Sequence, residues 1–173
     1  GAMAYTFLAA LGKKVGTSKI EEDKLAEAKK ILELAARLKT ELLLPSDHVC
    51  STQFDETSGQ VKVCEGNIAE GYMGLDIGPA TQSSFSAAIR KARTIVWNGP
   101  MGVFEWPNFA VGTRMVAQAI ADATRAGAVS IVGGGDSAAA VEQFHMADMM
   151  THVSTGGGAS LEMLEGKKFE SVD

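Results

Sequence analysis

The chain has 173 residues, of which 46% are hydrophobic and 21% charged, with a formal net charge of −5. That length holds one domain, or a large part of one, with a core of its own. The acidic balance argues against a nucleic-acid binder relying on a general basic surface, and no apolar run nears the roughly 20 residues of a membrane span. No signal peptide is visible, so the cytoplasm is the expected compartment. Cys50 and Cys64 are too few for a secreted disulfide framework, and apolar burial is their expected fate.

Gly1 to Leu11 is small and apolar and reads as a helix. Ser18 and Glu21 have capping-box spacing and open a helix predicted to run to about Thr40. Leu25, Ile31, Leu32, Ala35 and Leu38 give it an apolar stripe, and Glu33 and Arg37 support its other face. Glu41 to Leu44 reads as a strand stopped by Pro45. Residues 48–68, with Ser58-Gly59 between two β-prone runs, predict an antiparallel hairpin. Gly74-Leu75-Asp76-Ile77-Gly78-Pro79 reads as a turn in which Asp76 orients a loop.

The second half alternates more regularly. Helices are expected over Thr81–Ala92 and Phe109–Ala126, with strands over Thr94–Trp97 and 128–132. A further helix starts near Asp136, a strand covers 151–154, and a last helix starts near Ala159. Such alternation with continuous apolar strands predicts an α/β fold: a three-layer αβα, Rossmann-like parallel sheet covered on both faces. His152 is expected as a buried core histidine, and Met146, Met149, Met150 and Met163 as gap-filling core residues.

Ligands of parallel sheets sit beyond the carboxyl ends of the strands. Three glycine-rich segments fall there: Asn98-Gly99-Pro100-Met101-Gly102-Val103-Phe104-Glu105, Gly133-Gly134-Gly135-Asp136-Ser137 and Ser154-Thr155-Gly156-Gly157-Gly158-Ala159-Ser160. Glycine lets backbone N–H groups approach a ligand, and a following helix N-terminus adds donors and partial positive charge, so two such turns suit a ligand with several phosphates. The first segment reads either as the wall of a nucleotide pocket, with Glu105 on ribose hydroxyls, or as an Ω-like surface loop packed by Trp106. Asp136 reads either as a Mg²⁺ ligand or as a helix N-cap. Ser137 donates to a phosphate oxygen or simply occupies the first helical turn. Neither a P-loop signature nor a Gly-x-Gly-x-x-Gly turn opening a βαβ unit is present.

Taken together, these segments resemble the C-terminal, nucleotide-binding domain of the phosphoglycerate kinase family. Gly1-Ala2-Met3-Ala4-Tyr5-Thr6-Phe7, Gly71 to Pro79 and Leu164-Glu165-Gly166-Lys167 extend the resemblance over essentially the whole chain. It implies phosphoryl transfer between 1,3-bisphosphoglycerate and Mg-ADP, giving 3-phosphoglycerate and Mg-ATP in glycolysis. It further implies Gly74 beside the adenine, Asn98, Pro100 and Val103 lining the nucleotide site, and Glu105 on the ribose. Gly134, Gly135, Asp136 and Ser137 would serve the phosphates and the Mg²⁺, with Asp136 the metal ligand. Gly156 and Gly157 would present amides to the transferred phosphoryl group. Nucleotide and phosphoglycerate are then the partners, without nucleic acid or membrane, and the complete enzyme is expected to be a monomer.

Family members carry an N-terminal domain of similar size, with a basic patch for the phosphoglycerate and a catalytic arginine. They also carry a lysine-bearing glycine loop just before the position of Gly1. Residues 1–173 are therefore expected to be the nucleotide half of a two-domain kinase without its first βα segment. Gly1-Ala2-Met3 also has the form of an expression scar, but the family's own run at this point is the preferred reading. A stand-alone nucleotide-binding module is the alternative function, and an interaction protein that has lost its ligand is a third.

Overall fold

Residues 2–155 are described by a computed structural model, and their strands form two separate three-stranded sheets. Helix α1 (Ala2–Ala10) and helix α2 (Leu25–Arg37) come first, followed by strands β1 (Asp47–Ser51), β2 (Val61–Glu65) and β3 (Met73–Ile77). The second half runs α3 (Pro79–Lys91), β4 (Thr94–Asn98), α4 (Val111–Arg125), β5 (Val129–Gly133), α5 (Gly135–Gln143) and β6 (His152–Ser154). β4, β5 and β6 lie parallel in that order, with Trp97 level with Val132 and Val132 level with Val153. This is the expected α/β fold with its parallel sheet. The hairpin predicted over residues 48–68 is β1–β2, with His48 opposite Cys64.

The first half departs from its sequence pattern in several places. β3 was expected as a turn; it pairs antiparallel with β1 and completes a sheet in the order β2-β1-β3. Gly74 and Asp76 interrupt its apolar run, but both face packed interior, and Asp76 is fully buried. The predicted strand 41–44 does not form. Leu42 and Leu43 are exposed, and without a neighbouring strand nothing satisfies the ladder donors and acceptors.

Helix α2 is also shorter than predicted. Ser18 does not cap it, because the Ser18 Oγ accepts the Gly74 N–H at 2.8 Å. Glu21 donates its own N–H to Thr6 Oγ1 at 2.9 Å and leads into a 3₁₀ turn over Glu22–Lys24. The helix stops when Lys39 enters the left-handed region at φ 56°, with the Thr40 N–H bonded to Ala35 O. Its apolar stripe is only partly covered: Leu25, Leu32 and Ala35 are half-buried, whereas Ile31 and Leu38 are exposed. The ion pair near this helix is Lys24–Glu27 at 3.5 Å, rather than one between Glu33 and Arg37.

The main core lies where α3 and α4 meet the parallel sheet. Ile95, Trp97, Phe104, Val116, Ile120, Val132, Val141 and Met150 are buried in it. Ala117 and Ala121 on α4 are almost fully buried, and such small side chains let helices approach closely. Met150 and Met146 fill this core as expected, but Met149 is exposed; Met163 lies outside the described residues. His152 is exposed on β6, at the edge of the described sheet, rather than buried. A smaller cluster of Tyr5, Leu8, Cys50, Cys64 and Ile68 joins α1 to the antiparallel sheet, and both cysteines are free thiols there.

Two buried carboxylates act as helix caps from a distance. Helix α3 begins at Pro79 after Gly78 and has no side-chain cap of its own. Asp47 on β1 supplies one: its carboxylate accepts the N–H groups of Ala80 and Thr81, both at 2.9 Å, and the Thr81 hydroxyl. A Cβ on Gly78 would overlap that carboxylate. Burial works against the charge on Asp47, but the Thr81 hydroxyl and the two amides outweigh it, and its pKa falls below the ordinary value. Asp76 does the same for α4, accepting the Gly112 N–H at 2.8 Å.

His48, next to Asp47, is fully buried, and among the described residues neither ring nitrogen has a hydrogen-bond partner. Its ring lies 5.6 Å from that of Tyr5. Burial lowers its pKa below the ordinary 6.5, against the opposing pull of Asp47. The unfolded chain therefore takes up a proton as pH falls through 6.5 while the folded chain does not, so this contribution to stability is present above 6.5 and shrinks below it. His48→Phe removes the titration. Melting curves at pH 7.5 and 5.5 should show a smaller acid-induced loss of stability in the variant, by at most about 1.4 kcal/mol per pH unit. Parallel losses in both proteins would assign the acid sensitivity elsewhere.

Candidate functional site

A cleft of about 860 Å³ opens at the carboxyl end of β4, between α1 on one side and the β4–α4 connection on the other. Gly74, Asn98, Pro100, Val103 and Asp136, from three separate stretches of sequence, all line it. Another depression, of about 650 Å³, lies beside Lys14, Lys62 and Glu70 and contains none of the sequence-predicted site residues. The larger cleft is the candidate site.

Its floor requires glycine. A Cβ on Gly74 would overlap the Tyr5 ring, and one on Gly102 would overlap the Leu75 carbonyl oxygen. The β4–α4 loop is tied to its surroundings at closely spaced points. The Gly99 N–H donates to Ser137 Oγ at 2.6 Å, the Met101 N–H to Thr113 Oγ1 at 3.2 Å, and the Val103 N–H to Leu75 O at 3.0 Å. Trp97 Nε1 donates to Gly99 O at 2.6 Å, and Gln143 Nε2 to Phe104 O at 3.1 Å. Phe104 is buried in the main core. Trp106 packs farther along, with ring centroids 4.9 Å from Phe54 and 6.2 Å from Phe109.

The second glycine turn follows β5. Gly134 adopts φ 92°, a conformation that side-chain-bearing residues rarely take, and a Cβ there would come within 2.7 Å of Asn98 Oδ1. Gly135 then starts α5, so amides of its first turn lie next to the cleft. Asp136 is exposed in that turn, and no side chain caps the helix, so the N-cap alternative for Asp136 is not what the geometry shows. Ser137 is fully buried, and its oxygen is engaged by Gly99.

Not every expected residue reaches the cleft. Glu105 is exposed, on the same loop, but does not line it. Gly134, Gly135 and Ser137 adjoin it without lining it. Gly156 and Gly157 lie outside the described residues, as does the helix expected from Ala159. Conversely, Tyr5, Phe54 and Phe85 line the cleft although sequence reasoning gave them no role. Phe54 stands alone in a polar hairpin turn, a signal that only its exposure makes legible.

Among the described residues no three His, Cys, Asp or Glu side chains gather as a metal cage. The donor set nevertheless fits Mg²⁺, which takes one or two carboxylates and completes its octahedron with waters and phosphate oxygens. Asp136 is one such carboxylate, directed to the cleft and spent neither in a cap nor in an ion pair among the described residues.

The family model of phosphoglycerate kinase matches residues 1–167. The chain belongs to the phosphoglycerate kinase family. A curated phosphoglycerate kinase from Clostridium novyi is 54% identical over 172 residues, covering 99% of this chain and 42% of its own length. One from Clostridium kluyveri is 50% identical over the same span. Among solved structures, phosphoglycerate kinase from Coxiella burnetii superimposes with a TM-score of 0.89 at 42% identity, covering 96% of this chain and 43% of that one. The enzyme from Pyrococcus horikoshii OT3 gives 0.74 at 32% identity, with 95% and 41% covered. The chain thus spans about two-fifths of the length of the family members it matches. No helix among the described residues is long and apolar enough to cross a membrane.

Proposed function

We propose that this chain provides the nucleotide site of a phosphoglycerate kinase, which moves a phosphoryl group reversibly between 1,3-bisphosphoglycerate and Mg-ADP. The observation carrying this reading is the convergence of Gly74, Asn98, Pro100, Val103 and Asp136 on one cleft beside the first turn of α5. Gly74 and the Pro100–Val103 wall offer flat, partly apolar surface suited to a purine. The early amides of α5, reached through Gly134 and Gly135, suit the phosphates. Asp136 would hold the Mg²⁺, which when bound neutralises phosphate charge. Ser137 contributes by fixing Gly99 and has a hydroxyl hydrogen left to donate. Glu105 would reach the ribose from the outer end of the loop. Gly156 and Gly157 are assigned to the transferred phosphoryl group by the family resemblance alone. A soluble, cytoplasmic protein that is monomeric when complete is part of the same reading.

Asp136→Asn tests it. The substitution keeps the side chain's size and removes a charge that a hard cation prefers. Calorimetric titration with ADP should show a Mg²⁺-dependent gain in affinity for the parent chain, largely lost in the variant at an unchanged melting temperature. Equal Mg²⁺ dependence in both would remove Asp136 from the metal site.

A further inference from the structure

Asp76 is fully buried and takes no part in the function proposed above. Its Oδ2 accepts the Gly112 N–H and its Oδ1 the Ile77 N–H, both at 2.8 Å. Two glycines close on it. A Cβ on Gly102 would come within 2.7 Å of Oδ1, and one on Gly112 would overlap the carboxylate itself. Gly102 stands in the middle of the β4–α4 loop and Gly112 at its far end, in the first turn of α4. One residue before Asp76, the Leu75 carbonyl takes the Val103 N–H at 3.0 Å. The wall of the cleft therefore rests on Leu75 and Asp76, with room for nothing between.

Burial pushes the Asp76 carboxyl up to about 7, against the pull of the Gly112 and Ile77 N–H groups. A group so costly to ionise is a poor choice for a simple helix cap, which Ser, Thr or Asn provides at less desolvation cost. Its place under the loop supplies a better account. We propose that Asp76 is a positioning residue for nucleotide binding: it ties the start of α4 to β3 beneath Gly102 and thereby fixes the Pro100–Val103 wall of the cleft. The inference rests on reading that cleft as a nucleotide site.

The test pairs a local readout with a binding one. Asp76→Asn keeps the shape but turns an N–H₂ group toward one of the two backbone donors. Gly102→Ala leaves Asp76 intact and forces the loop off its seat. Hydrogen exchange of residues 99–112 without ligand, followed by mass spectrometry, reports the loop, and calorimetric titration with Mg-ADP reports the site. Both variants should exchange faster over the loop and keep parental protection in β1, β5 and α5. Both should bind Mg-ADP about tenfold more weakly, the scale of one buried hydrogen bond lost beneath the loop. Unchanged loop exchange overturns the proposal, as does a loosened loop with parental affinity, or a loss of protection spread evenly over the chain. Should Asp76→Asn not fold, Gly102→Ala with parental loop and affinity overturns it alone. A parental chain that binds no Mg-ADP defeats the nucleotide reading before any variant is made. The positioning role falls with it, while the exchange data still report whether Asp76 holds the loop.

Discussion

A polypeptide of these 173 residues is expected to convert ATP and 3-phosphoglycerate at least about 10³-fold more slowly than a full-length relative. Phosphoryl transfer relies on positioning and charge stabilisation from both sides of the moving group. On the proposed reading the cleft would supply one side: first-turn amides of α5, the Asp136 carboxylate for a cation, and the loop wall. No lysine or arginine lies in the loop wall from Asn98 to Val103, and among the described residues Lys19 is the single basic one along the cleft. The family resemblance assigns the catalytic arginine and the phosphoglycerate patch to a preceding domain of about equal size. A coupled assay decides the matter, run with the chain alone and then with the complementary N-terminal segment of a relative added. Full turnover by the chain alone would place all the chemistry within it and refute the division of labour. Recovery on addition would support it.

The largest effect on stability is expected at Asp47. Replacing it by Ala leaves the Ala80 and Thr81 N–H groups without their buried acceptor and the Thr81 hydroxyl with only the longer bond to the Asp47 carbonyl. The loss should be about 2–4 kcal/mol, combining a missing helix cap with unsatisfied buried donors. For a domain of this size that corresponds to a fall in Tm of roughly 5–15 °C. Asp47→Asn keeps one acceptor and should lose about half as much. Because the folded pKa of Asp47 lies below its ordinary 3.8, this stabilisation is fully present above that pH and is lost as pH falls through the folded value. At pH 2.5 the parent and Asp47→Ala should therefore melt closer together than at pH 7. A gap that stays the same would show that volume, rather than the charged acceptor, sets the cost.

Much of the second half was legible in the sequence because its signals are local. β4 and β5 carry short apolar cores, Ile95 to Trp97 and Ile131 to Val132, that the parallel sheet largely buries, and the glycine turns after them sit where the strands end. The cleft residues at positions 98, 100, 103 and 136 followed from that geometry together with the family resemblance. What escaped depends on partners distant in sequence. Asp47 caps a helix 33 residues away and Asp76 one 36 residues away, so no capping rule confined to the helix's own flank finds them. Ser18 had the spacing of a cap and was claimed instead by Gly74, 56 residues later. The strand expected at 41–44 has the right composition, but pairing needs a neighbour that composition does not supply. Ile31 and Leu38 followed helical periodicity faithfully, yet that pattern marks a face fit for burial without saying what covers it.

The tethering of the loop at Gly99, Met101, Val103 and Phe104 also shapes how a ligand is met. The conformational entropy of this wall is surrendered during folding, so on the proposed reading an arriving nucleotide would find it already set and need not order it. Binding here is closer to docking against a rigid jaw than to wrapping by a soft one. On the proposed reading, any closure around substrates would carry this wall as a unit rather than reshape it.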